Sequence, residues 1–211
     1  MQGLMLKDFF NLKKNIGPTL VTTICVGLLL MVQGNPSMFV VGITLAGGSI
    51  CSSCLKMDET AEWGKFELTT PVSRLTVVLE KYILLFIFTL ISCIVGGAIS
   101  YIAGNVTGTF EIDFFLMYVA VGFSLGIISG SLIIFCLFRF GLIKADFFMT
   151  ICYLVPVGIF VGALVVLKKT GYDIMAGLPY LYLTYILPLV ALIISVLMAI
   201  LSIIVYRKKQ F

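Results

Sequence analysis

Six long apolar runs, broken only by short polar connections, decide what this chain can fold into. They read Ile16–Val32, Met38–Leu55, Tyr82–Ala103, Phe114–Phe138, Phe147–Leu167 and Tyr180–Tyr206. A bilayer core about 30 Å thick takes roughly 17–25 apolar residues per helix, so each run has the length of a span. Together they occupy more than half of the 211 residues. Only 11% of the side chains are charged, against about 25% in soluble domains, which is too few to coat a soluble fold. The expectation is an all-α integral membrane protein with six transmembrane helices and one transmembrane domain over 1–211. Disorder is excluded by the apolar blocks, and a net charge of +4 makes too weak a basic face for nucleic acid.

Basic residues set the orientation. With the N-terminus inside, Lys7, Lys13, Lys14, Lys56, Lys65, Arg74, Lys81, Arg139, Lys144, Arg207, Lys208 and Lys209 are cytoplasmic, leaving only Lys168 and Lys169 outside. This is the positive-inside pattern, and an even span count puts both termini in the cytoplasm. Gln33–Ser37 reads as a tight turn between the first two runs, and Pro188 predicts a kink in the last by removing a backbone donor. No small-x-small cleavage site follows the first run, so it is not expected to be a removable signal. Ahead of it, Leu4, Met5, Phe9 and Leu12 share one face of Met1–Lys14, with Lys7, Asp8, Asn11 and Lys14 largely on another. That pattern predicts a short helix lying in the inner interface.

What the chain lacks narrows its chemistry. It has no histidine, which removes His-based triads, HExxH zinc hydrolysis and imidazole relays. Gly64-Lys65 lacks the upstream glycine of a P-loop, so ATP is not expected to bind here. All charged residues fall outside the six runs or at their ends, whereas ion-coupled transporters keep an ionisable group near the midplane. The polar groups within the runs are hydroxyls, among them Thr22, Thr23, Thr44, Thr89, Ser92, Ser124 and Thr184, which can bond back to their own helices. Cys25, Cys51, Cys54, Cys93, Cys136 and Cys152 all lie in runs; Cys51-x-x-Cys54 has no histidine or second CxxC to complete a zinc site, and reads as buried thiols. Gly122, Gly126 and Gly130, and again Gly158 and Gly162, recur every fourth residue. Such spacing allows close helix packing within the bundle or across a dimer.

The longest cytoplasmic connection, 56–75, is the most informative segment. Asp58, Glu59 and Glu62 crowd its start, as at a helix N-terminus. Trp63, Phe66 and Leu68 supply an apolar face, Pro71 ends the segment, and Ser73 can cap a helix running into the third span. A short amphipathic helix carrying an aromatic anchor among charges has the composition of a docking element. The alternative is a solvated loop with Trp63 in the inner aromatic belt.

Met1-x-Gly3-Leu4-x-Leu6-Lys7-Asp8-Phe9 with Leu12-Lys13-Lys14 resembles the start of small bacterial ABC exporter permeases of the ABC-2 type. So does Asp58-Glu59-x-x-x-Trp63-x-Lys65-Phe66-x-Leu68-Thr69-x-Pro71-Val72-Ser73-Arg74, with Glu80-Lys81-Tyr82 following. The resemblance implies an elbow helix at Met1–Lys14 and a coupling helix near Asp58–Leu68. It further implies two permeases, as a homodimer or with a close paralogue, joined to two cytoplasmic ATPase subunits that bind ATP and Mg and drive export. Asp58, Glu59, Glu62, Trp63, Lys65, Phe66 and Arg74 then become the ATPase-coupling residues, and the chain itself holds no cofactor and catalyses nothing. Small stand-alone permeases of this kind resemble exporters of amphipathic peptides, including the phenol-soluble-modulin type and those conferring antimicrobial-peptide resistance. Family members often carry a sizeable outer helix between the last two spans, whereas Lys168–Pro179 is short here.

Tyr180, Tyr182 and Tyr185 line an outer vestibule on one reading and form a plain aromatic belt on another. Two other classes stand beside the exporter. One is a membrane sensor or immunity protein that binds a peptide or partner without transport. The other is a self-contained membrane enzyme, which the missing histidine and missing intramembrane carboxylates disfavour.

Overall fold

The computed structural model describes residues 17, 21, 36–60, 73–141, 145–169, 180 and 182–208, some of them, including Glu59 and Arg74, in backbone alone. Every regular element among them is helical. A 3-10 turn, Pro36–Met38, leads into α1 (Phe39–Thr60); α2 is Arg74–Thr107, α3 is Ile112–Phe140 and α4 is Ala145–Lys169. A π-helical turn, Tyr182–Ile186, leads into α5 (Leu187–Lys208). Four helical stretches, Pro36–Asp58, Leu75–Thr107, Ile112–Phe140 and Tyr182–Arg207, are long and apolar enough to cross a membrane, and α4 contains a shorter apolar stretch, Phe147–Ala163. The expected elbow, Met1–Lys14, lies outside the described residues, as does the first run except Gly17 and Val21.

Two boundaries correct the sequence reading. The second run does not end at Leu55, because no glycine or proline interrupts 56–60 and α1 continues to Thr60, whose hydroxyl donates to the Lys56 carbonyl at 2.7 Å. Asp58 and Glu59 therefore stand on the last turn of α1, not at the start of a separate helix. The third run begins well before Tyr82. Ser73 caps α2 by accepting from the Thr76 amide at 3.2 Å, and the helix then runs 34 residues, about 51 Å at 1.5 Å per residue. It ends where Gly108 takes the left-handed conformation at φ 69°, which favours a residue without Cβ. At Pro188 the chain forms the π turn just upstream, since proline lacks the donor that the Thr184 carbonyl would otherwise accept. Lys168 and Lys169, expected in a loop, complete the last turn of α4.

The helices alternate in direction. Ser100 donates to the Pro36 carbonyl at 3.1 Å at one end of the bundle, and Tyr180 reaches Asp113 there. Lys81 meets Asp58, and Phe138 packs edge-on against Tyr206 at 5.1 Å, at the other. The second end also carries Arg139 and Arg207 and is called the basic end below.

α3 is the centre, packing against α1, α2, α4 and α5, while α4 packs closely only on α3 among the described helices. Its apolar stretch is 72% buried, against 17% for that of α5. Large apolar side chains such as Ile94, Ile102, Leu189, Ile193 and Val196 stay exposed on α2 and α5, as suits a lipid-facing surface. The glycine stripe of α3 explains the close approach. A methyl group on Gly126 would come within 2.9 Å of the Thr44 carbonyl oxygen of α1, and one on Gly122 within 2.6 Å of the Thr44 hydroxyl. A Cβ on Gly130 would strike Leu85 of α2. This stripe is thus spent inside the bundle, whereas a Cβ on Gly158 or Gly162 meets nothing within 4 Å. Gly126→Ala is expected to cost about 1–3 kcal/mol through overpacking, and Gly158→Ala to be neutral or to gain up to about 1 kcal/mol of helix propensity. Melting of the two variants in detergent checks this, and equal losses at both sites would contradict it.

Candidate functional site at the basic end

The 61–72 segment connects Thr60 of α1 to Ser73 ahead of α2, and the structure defines both of its attachment points. On one side the last turn of α1 carries Asp58. On the other, the Ser73 hydroxyl sits 2.7 Å from that of Thr76 and the Ser73 carbonyl accepts from Val77 at 3.3 Å, which fixes the first turn of α2. One and a half turns further on, the Lys81 ammonium donates to Asp58 Oδ2 at 2.7 Å. Both groups are enclosed, with 4% of the Lys81 side chain and 12% of that of Asp58 exposed. A charge-assisted bond this short is roughly twice as strong as a neutral one. The pair therefore ties the last turn of α1 to α2.

Beside Lys81 stand two more buried groups. Glu80 is fully enclosed. Tyr82 faces the bundle, where its hydroxyl lies 2.8 Å from Ser202 Oγ of α5 and donates at 3.4 Å to the Ser131 carbonyl of α3. Cys51, read from sequence as a plain buried thiol, donates to the Lys81 carbonyl at 3.4 Å. Around them Leu55, Val78, Leu85, Ile133, Ile134, Leu137 and Tyr206 form the larger of the two apolar clusters of the core.

The sequence-predicted residues divide as follows. Asp58 is present on the last turn of α1, with its carboxylate turned inward to Lys81. Glu59 and Arg74 are placed in backbone only, at the end of α1 and the start of α2. Glu62, Trp63, Lys65 and Phe66 lie outside the described residues. Lys81 and Tyr82 were missed as site residues; the available signal was a pair of opposite charges on the two sides of an antiparallel helix connection.

At the opposite end, Tyr180 packs against the Met117–Val121–Leu125 cluster of α3 and donates to Asp113 Oδ1 at 3.3 Å. Tyr182 and Tyr185 are 53% and 59% exposed on the bundle surface. The hydroxyls of Thr44, Thr89 and Ser124 bond back to the carbonyls of Val40, Leu85 and Ala120 of their own helices, as their sequence positions predicted, whereas that of Thr184 makes no such bond. No cluster of three or more metal-ligating side chains occurs among the described residues. The described arrangement ties one turn of α2 to three neighbouring helices.

No curated protein and no solved structure matches the chain. Residues 3–207 match the family described as ABC-2 family transporter protein, whose members are transmembrane subunits of ABC transporters and imply a partnering ABC ATPase. That match covers nearly the whole chain and agrees with the multi-pass helical bundle, so the chain belongs to the ABC-2 transporter family.

Proposed function

We propose that the chain is the permease subunit of an ATP-driven exporter. It works as a homodimer or with a close paralogue, in the cytoplasmic membrane of a bacterium, beside two separate ATPase subunits that bind ATP and Mg. The observation that carries this reading is the enclosed ion pair between Asp58 and Lys81. It ties together the two helices joined by a connection whose sequence holds Trp63 and Phe66 among charges, and helices tied in this way can pass on a push that loose ones would absorb. In this reading Glu62, Trp63, Lys65 and Phe66 contact the ATPase, with Glu59 and Arg74 at its rim, while Asp58 positions the loop.

Amphipathic or hydrophobic peptide is the favoured cargo. Thr44, Thr89, Ser124 and Ser129, in the middle of the bundle, are bonded to carbonyls of their own helices, and the enclosed charges gather at one end. Such an interior suits cargo that carries no charge to be matched at the midplane. Tyr182 and Tyr185, exposed at the far end, would meet it at the outer surface or sit in the interfacial belt.

Trp63→Ala is expected to insert normally and to bind its ATPase at least about thirty-fold more weakly, the loss typical of an aromatic hot spot. Co-purification from co-expressing cells reads this directly, and wild-type recovery of the ATPase would overturn the docking assignment. The six-span arrangement with both termini cytoplasmic has its own check. A membrane-impermeant maleimide should label Asp173→Cys in intact cells and Gln210→Cys only after permeabilisation, with the parent chain as background. The reverse pattern would invert the orientation.

A further inference from the structure

Lys81 and Tyr82 are consecutive residues of α2, yet they hold different neighbours. The Lys81 side chain reaches Asp58 at the end of α1, and its carbonyl accepts from Cys51 one to two turns up the same helix. The Tyr82 hydroxyl reaches Ser202 of α5 and the Ser131 carbonyl of α3. Successive helical residues point about 100° apart, so one turn of α2 ties itself to three other helices at one level. The groups involved are enclosed: Lys81, Tyr82 and Ser202 are 3%, 8% and 0% exposed. In an apolar bundle whose other described hydroxyls mostly serve their own helices, these polar bonds cross between helices at the basic end, beside a Cys136–Cys152 thiol contact at 3.7 Å between α3 and α4.

From this we infer that the Lys81–Tyr82 step is a positioning relay, linking α2, which follows the 61–72 connection, to α1, α3 and α5. Lys81 ties the end of α1 to α2, so a force on the connection between them moves the two helices as a unit. Tyr82 passes that displacement to α5 through Ser202 and to the central α3 through Ser131. The relay rests on the coupling reading above, since it needs an ATPase acting on the connection, but it makes a separate demand. Docking and coupling should be separable, because Tyr82 lies inside the bundle, away from any surface an ATPase touches.

The test uses the full chain co-purified with its ATPase and supplied with Mg-ATP. Three quantities are read: ATPase retained on the tagged permease, turnover of the complex relative to the isolated ATPase, and melting temperature. Tyr82→Phe, which removes a single oxygen atom, is expected to retain the ATPase at the wild-type ratio. Its turnover, however, should fall to within about two-fold of the isolated ATPase. Lys81→Met and Asp58→Asn should lose the same coupling, and the exchanged pair Asp58→Lys with Lys81→Asp should recover at least half of it. Rescue by exchange shows that the pair itself is needed, and the melting temperature read alongside separates lost coupling from lost stability. If the single charge variants fail to accumulate, Tyr82→Phe decides alone. Wild-type turnover in Tyr82→Phe, within a complex that Trp63→Ala does disrupt, overturns the relay and leaves the docking reading intact. Unchanged ATPase retention by Trp63→Ala overturns the docking reading, and with it the force on which the relay depends.

Discussion

Between lipid-exposed helices there is no hydrophobic drive to association, so close packing has to hold the bundle together. In this chain that task falls to α3. Its glycine face admits the backbone of α1 at Thr44 and the Leu85 side chain of α2 to distances no Cβ would allow. The other faces of α3 carry α4 and α5. Ser124, Ser129 and Ser131 sit on α3 fully enclosed, each donating to a carbonyl of its own helix, so they add no unmet polar demand. Removing the small residues would push α1 away, and the larger apolar cluster would lose one of its walls.

Polar bonds between helices are few in such a setting, and where they occur they gain weight. The described ones gather at the two ends. Ser100 to Pro36 and Tyr180 to Asp113 join helices at one end, and Asp58, Lys81, Tyr82 and Ser202 at the other. The middle is held instead by the close packing of apolar and small side chains. A bundle tied by polar bonds at its ends and by close packing between them keeps its helices assembled when one of them is displaced. This is what a member of a transporter family needs.

Much of this was legible in the residues, for reasons that can be stated one at a time. Ser73 before a long apolar helix is a local capping signal, and the helix starts there because the cap needs nothing distant. The back-bonding of Thr44, Thr89 and Ser124 follows from hydroxyls placed in a medium without water. Pro188 announced a disturbance but not its form, because the π turn depends on how Leu183 and Leu187 pack against α3. Asp58 misled: an acidic cluster reads locally as a helix start, yet its fate is set by Lys81, 23 positions away. Tyr82 looked like the first residue of a span, and only the crossing of α2 with α3 and α5 shows what its hydroxyl does. The stripe of α3 was recognisable as a packing face, while its partner, Thr44 and Val41 on α1, required the assembled bundle.

In the proposed coupling the ATPase engages this permease at the connection after α1. A photo-crosslinking amino acid placed at Trp63 and irradiated in native membranes reads that contact. Docking there gives a covalent adduct with a single P-loop ATPase subunit, absent when the probe is placed at Val106 at the opposite end. Adducts to lipid alone, or equal adducts from both positions, would contradict it.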